Sequence, residues 1–320
     1  MKTNKLILGA SLLFLAGALA LSSCKKRTTK EAEEPDKEAN TARDNANAEN
    51  IANDIDAIGG EAVENSSLSE FRSSGETALT NIISVASCAT VTGVGTSTIT
   101  VDFGTTPCAG NDGRKRSGKL FFNLSQSTPT TSVKYRNPGF KMIVTSQNYV
   151  VDSNAVTINN KTVENTTSPS IGSGTPTIGY VNLTWRIQSN ITIVKPNSGG
   201  SITWTCDRTK ELTNTNTASA GCYNGQALPI NWSKAIVKIN GTASGSNAKG
   251  ESYTVKAIDL VRDFNCSPSV LTQKRHPFIS GKIEYTPGSR PTRYFDYGTG
   301  TCDFNATVVI NGVTYSITLP

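Results

Sequence analysis

The side chains that could do chemistry in this chain are few and dispersed. His276, in Arg275-His276-Pro277 before a strand-like run, is the only imidazole among 320 residues. A hydrolase triad would have to use it, yet no G-x-S-x-G elbow accompanies it, so it reads as a surface loop histidine. Asp102, Asp112, Asp296 and Asp303 lie at Gly-containing turns. Carboxylates and carbonyls in such turns can hold Ca²⁺, and Asp296 with Asp303 brackets one of them. EF-hand spacing is absent, and Asp that binds its own backbone is the simpler reading. A glycosidase pair would depend on a separation that only folding sets. Trp185, Trp204 and Trp232 could form a sugar-stacking platform, but Trp185 lies in the apolar phase of its run and Trp204 aligns with Ile202 and Cys206. Both read as core. The candidates for binding are therefore Asp296, Asp303 and Trp232, with no catalytic residue assigned and no enzyme expected.

The elements that would position these residues are strands. From about Cys88 onward the pattern has period two, clearest where Val181, Leu183, Trp185, Ile187, Ile191 and Ile193 alternate with Asn182, Thr184, Arg186, Gln188, Asn190 and Thr192. One polar face per strand predicts antiparallel sheet, because parallel strands buried on both faces read as unbroken apolar runs. Asn311-Gly312, between Ala306–Ile310 and Val313–Leu319, is a strong hairpin signal. Asn159-Asn160 and Asn240-Gly241 are expected to be further turns. About eleven to fourteen strand candidates follow. The expectation is an all-β fold, a large antiparallel meander or β-sandwich stapled by disulfides and preceded by a partly helical polar tether. Within the Ala-, Asn- and acid-rich segment before Cys88, Ala46 to Ile58 has helical spacing at Ile51, Ile55 and Ile58, and Gly59-Gly60 is expected to end that helix. The formal net charge is only +6. Arg114-Lys115-Arg116 is the one basic cluster on the domain and reads as a solvated turn, so nucleic acid is not an expected partner.

The start of the chain gives an address. Lys2 and Lys5 precede the apolar stretch Leu6–Leu21, which contains Gly9 and Gly17 and is followed by Ser22-Ser23-Cys24. That stretch is shorter than the ~20 residues that span a bilayer, and it fits a secretory h-region. The Leu21-Ser22-Ser23-Cys24 tetrapeptide resembles the lipobox of bacterial lipoproteins. The resemblance implies a signal peptide over 1–23, after which composition and periodicity predict a tether with a short helix over 24–87 and a β-domain over 88–320. It also implies covalent diacylglycerol and an N-acyl chain on Cys24, with no other cofactor. Several acyl chains anchor stably where one is marginal. Lys25 follows the cysteine in place of the Asp that tends to retain enteric lipoproteins in the inner membrane, so the outer membrane is expected, on either its periplasmic or its surface face.

With Cys24 set aside, six cysteines remain, an even number suited to an oxidising compartment. Asp102-Phe103-Gly104-Thr105-Thr106-Pro107-Cys108 and Asp296-Tyr297-Gly298-Thr299-Gly300-Thr301-Cys302 share D-[FY]-G-T-x-x-C, each with a cysteine upstream. Of the 15 connectivities open to six cysteines, short-range pairing favours Cys88–Cys108, Cys266–Cys302 and Cys206–Cys222. No C-x-x-C occurs and the only histidine is His276, so no metal is expected. The lipobox, the polar spacer, Asp112 to Leu120 and Asp296 to Asp303 ahead of the Asn-Gly hairpin together resemble uncharacterised envelope lipoproteins of Bacteroidota-type bacteria. This implies as partners the membrane, the lipoprotein export machinery, and a glycan or an envelope protein. A surface glycan-binding role in polysaccharide uptake and a lipid-carrying β half-barrel are the specific alternatives to a general binding or structural role.

Overall fold

The computed structural model describes residues 40–64, 88–110, 113–128, 133–167, 182–214, 235–266 and 277–318. They form one helix, α1 (Asn40–Glu64), and fourteen strands. These are β1 (Thr90–Thr92), β2 (Thr98–Asp102), β3 (Cys108–Ala109), β4 (Lys115–Asn123), β5 (Lys141–Val151), β6 (Asn154–Asn165) and β7 (Leu183–Val194), followed by β8 (Ser201–Asn214), β9 (Ile236–Ser246), β10 (Ser252–Asp263), β11 (Phe278–Pro287), β12 (Arg293–Thr299), β13 (Asn305–Ile310) and β14 (Val313–Thr318). All belong to one antiparallel sheet whose strand order follows the chain, with β3 alone off the path as a third partner of β4. The meander, and not the sandwich, is the architecture. The Asn-Gly hairpin forms as expected between β13 and β14, with φ of 51° at Asn311 and 80° at Gly312, the pair of positive values that matches strand twist in a two-residue turn.

The other two expected turns are corrected by the structure. Asn159-Asn160 lies inside β6 and Asn240-Gly241 inside β9, and register breaks fall beside them, between Ile158 and Asn160 and opposite the Ala257/Leu260 irregularity of β10. They are bulges. A bulge adds a residue to one strand, bends it and increases the local twist. Others lie opposite Gly118 of β4, with the extra residue in β5, and on both sides of Gly281 of β11, with the extra residues in β10 and β12. A Cβ on Gly118 would fall 2.1 Å from the Asn148 carbonyl oxygen, and one on Gly281 would fall 2.3 Å from that of Asp259. These sites require glycine, and together the bulges curve the sheet into a trough.

The helix of the polar segment is docked and longer than the sequence predicts. It runs through Gly59-Gly60 instead of ending there. Ile51, Ile55 and Ile58 are fully buried, in one core with Val101, Phe122, Met142, Trp185 and Trp204. Each such isoleucine contributes about 1.5–3 kcal/mol of burial. Gly59 is there for close approach. A Cβ at this position would lie 2.7 Å from both the Phe122 ring and the Met142 methyl group, whereas Gly60 would meet nothing nearer than Tyr135 at 3.6 Å.

That contrast gives a paired prediction. Gly60→Ala should raise stability by up to ~1 kcal/mol through helix propensity, and Gly59→Ala should lower it by about 1–3 kcal/mol through overpacking. Denaturant midpoints at unchanged slope would measure both. Equal shifts of one sign would refute the packing assignment.

Candidate functional site: the filled trough and the outer face

The concave face of the sheet is where a cleft would be expected, and α1 occupies it. The contact is ionic as much as apolar. Asp54 takes Arg116 of β4 in a bidentate pair at 2.5 and 3.1 Å, with the Tyr149 hydroxyl donating at 3.4 Å. Asp56 lies 2.8 Å from Lys161 of β6, whose side chain is wholly buried. Glu49 accepts from Arg208 of β8 at 3.1 Å. At the helix N-terminus, Asp44 accepts from Lys195 and from the Ala248 amide, both at 2.8 Å, while the Asn247 amide donates to Thr41 at 2.9 Å. At the other end Glu64 pairs with Arg136 on the β4–β5 connection. Burial nevertheless pushes the Glu64 carboxyl above its ordinary range, the Arg136 charge opposing that shift.

Ion pairs of this kind add little net stability, because desolvation offsets the attraction. Removing one partner is expensive. Their effect is to fix register: any rotation or slide of α1 would leave several charges buried and unmatched. The same holds for the two tryptophans that the sequence places in the core. Trp185 donates to the Tyr135 carbonyl at 2.8 Å and Trp204 to Asn45 at 3.1 Å. Between β8 and Tyr135, Lys210 donates to the Tyr135 hydroxyl at 2.5 Å and sits 5.1 Å from the Trp185 ring centre. Desolvation brings its amine down to about 8.

Arg114-Lys115-Arg116 is thus not a solvated turn. Lys115 is exposed, but Arg116 is buried on Asp54, and Arg114 bridges Asp152 at 2.8 Å and Asp54 at 3.6 Å. The twin D-[FY]-G-T-x-x-C segments form matching turns. The Gly104 amide donates to Asp102 and the Gly298 amide to Asp296, each at 2.9 Å. Across the sheet Asp102 meets Lys119 at 2.8 Å and Asp296 meets Lys282 at 3.4 Å. Both lysines belong to a Ser-Gly-Lys segment, 117–119 and 280–282, at a bulge glycine. The two units are met in opposite chain order from the two edges of the sheet. Ser-Gly-Lys at both sites is the sequence signal that marks the partners of the two aspartates. Asp303 accepts from the Asn305 amide at 2.8 Å, so Asp296 and Asp303 each cap a turn of their own.

Disulfides join Cys88 to Cys108 and Cys266 to Cys302. Cys206 departs from the expected scheme. It is a free thiol, facing inward beside Arg208 and 6% exposed, and burial pushes it up to about 12. Cys222, Cys24, Trp232, Asp112 and His276 lie outside the described residues. Among the described residues no three His, Cys, Asp or Glu side chains gather as a metal site.

The outer face carries the other candidate, a shallow depression of about 610 Å³. Its floor is one continuous cross-strand row, Gln188, Asp207, Thr242, Lys256, Glu284 and Tyr294, in which each residue is the registered partner of the next across β7 to β12. A second row, Thr205, Ser244, Thr254 and Thr286, runs beside it, and the last of these shares a 2.8 Å hydroxyl contact with Thr292. Asp207 is bound by Arg186 at 2.6 and 3.0 Å and by Gln188 at 3.3 Å, which holds its carboxyl below the usual range, the Arg186 hydrogen bond being the main cause. Lys256 and Glu284 stand 3.7 Å apart, and Tyr294 is 52% exposed at the end of the row. This surface offers donors, acceptors and one aromatic face. Sequence phase places these residues outward, but only register aligns them.

Two outcomes test the interior. Asp56→Ala, which strands Lys161, should cost about 3–5 kcal/mol, and Asp56→Leu with Lys161→Met should restore most of it; equilibrium unfolding of the single and double variants would show the recovery or its absence. Cys206 should resist iodoacetamide at pH 8 in the native protein and react once denatured, because the buried thiol holds little thiolate. Peptide mass mapping that finds Cys206 alkylated under native conditions would contradict this placement.

Comparison of the chain with protein families, with curated proteins and with solved structures gives no match.

Proposed function

We propose that this chain is a lipoprotein of the cell envelope, held at the outer membrane by acyl chains on Cys24, whose β-domain binds or scaffolds and does not catalyse. The observation that carries the non-catalytic reading is the filled trough: α1 takes the concave surface that a substrate cleft or a carried lipid would need. Recognition is left to the outer face and the sheet edges. Two disulfides support an exported, oxidising location. Cys24→Ser should abolish incorporation of labelled palmitate and move the protein out of the membrane fraction. Retention of label would exclude Cys24 as the acylation site.

The outer-face rows favour a second reading, in which the domain binds a glycan chain laid across the strands. Strands repeat every ~4.7–4.9 Å, close to the length of a sugar unit, so successive units would meet equivalent polar side chains, with Tyr294 stacking on one ring. Tyr294→Ala should weaken binding to any oligosaccharide that a glycan array identifies by roughly tenfold. An array without hits would remove this reading and leave the first.

A further inference from the structure

The two edges of the sheet are unlike. β1 is three residues long, whereas β14 presents six, Val313-Thr314-Tyr315-Ser316-Ile317-Thr318, and no described strand pairs with its outer side. Exposed edges are usually protected by charge, proline or a bulge. β14 has none of these: it contains no charged residue and no proline, and it pairs with β13 without a register break. Val313 and Tyr315 are 52% and 45% exposed, although Tyr315 stands opposite the buried Val308 and Ile317 opposite the buried Ala306. The apolar row of β13 therefore continues onto β14 and stops there uncovered.

We propose that β14 docks against β14 of a second copy of this chain, joining two sheets through an antiparallel pair centred on Tyr315. The pattern of the strand is self-complementary. In the Asn311-Gly312 hairpin the pair Ile310 and Val313 closes the turn, so Val313, Tyr315 and Ile317 direct their backbone groups to β13, and Thr314, Ser316 and Thr318 direct theirs outward. Pairing about Tyr315 sets that residue against its own copy, Val313 against Ile317 and Thr314 against Ser316. Val313, Tyr315 and Ile317 fall on one face and the Thr and Ser hydroxyls on the other, and no like charges meet. Because the contact is isologous, it closes after two copies and does not propagate.

Cross-linking in membranes that carry the full chain tests this. Tyr315→Cys should give a disulfide-linked dimer on mild oxidation, and Thr307→Cys, on the outer face of β13, should not. Adding Thr314→Lys and Ser316→Lys to Tyr315→Cys sets lysine against lysine twice and should abolish the dimer. Thr314→Lys with Ser316→Glu sets opposite charges together and should retain it. Preserved Cys88–Cys108 and Cys266–Cys302 linkages would certify that each variant folds. A monomer from Tyr315→Cys, an adduct with a different protein, or loss of the dimer in both charged variants would overturn the proposal.

Discussion

The docking of an acidic helix into a cation-lined trough is the constraint on which the rest of this structure depends. A curved sheet of this size has an inner surface that must be covered. Here the cover comes from a segment whose own sequence is mostly alanine, asparagine and acid. Ile51, Ile55 and Ile58 supply its apolar seam, and the carboxylates along α1 meet Arg116, Lys161, Arg208, Lys195 and Arg136 from four strand or turn positions and one long connection. Apolar burial makes the contact favourable, and charge matching makes it unique. Neither alone would select one orientation of the helix.

Curvature is the complementary requirement. A flat meander could not wrap a helix, and register breaks at Asn159 and opposite Gly118, Gly241 and Gly281 bend the sheet, the three glycines having positive φ and a neighbouring strand's carbonyl oxygen too close for a Cβ. The disulfides staple the short strands and connections flanking the two D-[FY]-G-T turns, where the ladder is least extensive. The inner face is thereby committed to structure, which leaves the outer rows and the β14 edge as the surfaces open to contact.

Much of the fold was legible in the sequence: period-two alternation, one polar face per strand and Asn311-Gly312 all lead to an antiparallel sheet, and only the strand order decides for the meander over the sandwich. Two features that read as turns, Asn159-Asn160 and Asn240-Gly241, lie at register breaks instead; Gly241 has the positive φ, 116°, that turns and bulges both use. The extent of α1 was hidden because Gly59 signals a helix end locally, while its actual cause is the Phe122 ring, remote in sequence. The ionic contacts had a trace: Arg208 and Lys210 fall in phase with Trp204 and Leu212, and Lys161 with Val163, so cations stood at inward positions. Their partners could not be inferred, because pairing depends on how the sheet curves. For the same reason the outer rows, which exist only in register, were out of reach.

The polar character of α1 has a consequence for the order in which the chain is made. The helix precedes the strands that receive it: Asp44 is separated from Lys195 by 151 residues and Thr41 from Asn247 by 206. During synthesis α1 meets its first partners at Arg116 and Arg136 and its last, Asn247, only after most of the chain has been made. An apolar plug would spend that interval as an exposed aggregation site. An acid- and asparagine-rich one stays hydrated until the trough closes around it, so the composition that makes this segment look like a linker is what lets it wait to become the centre of the domain.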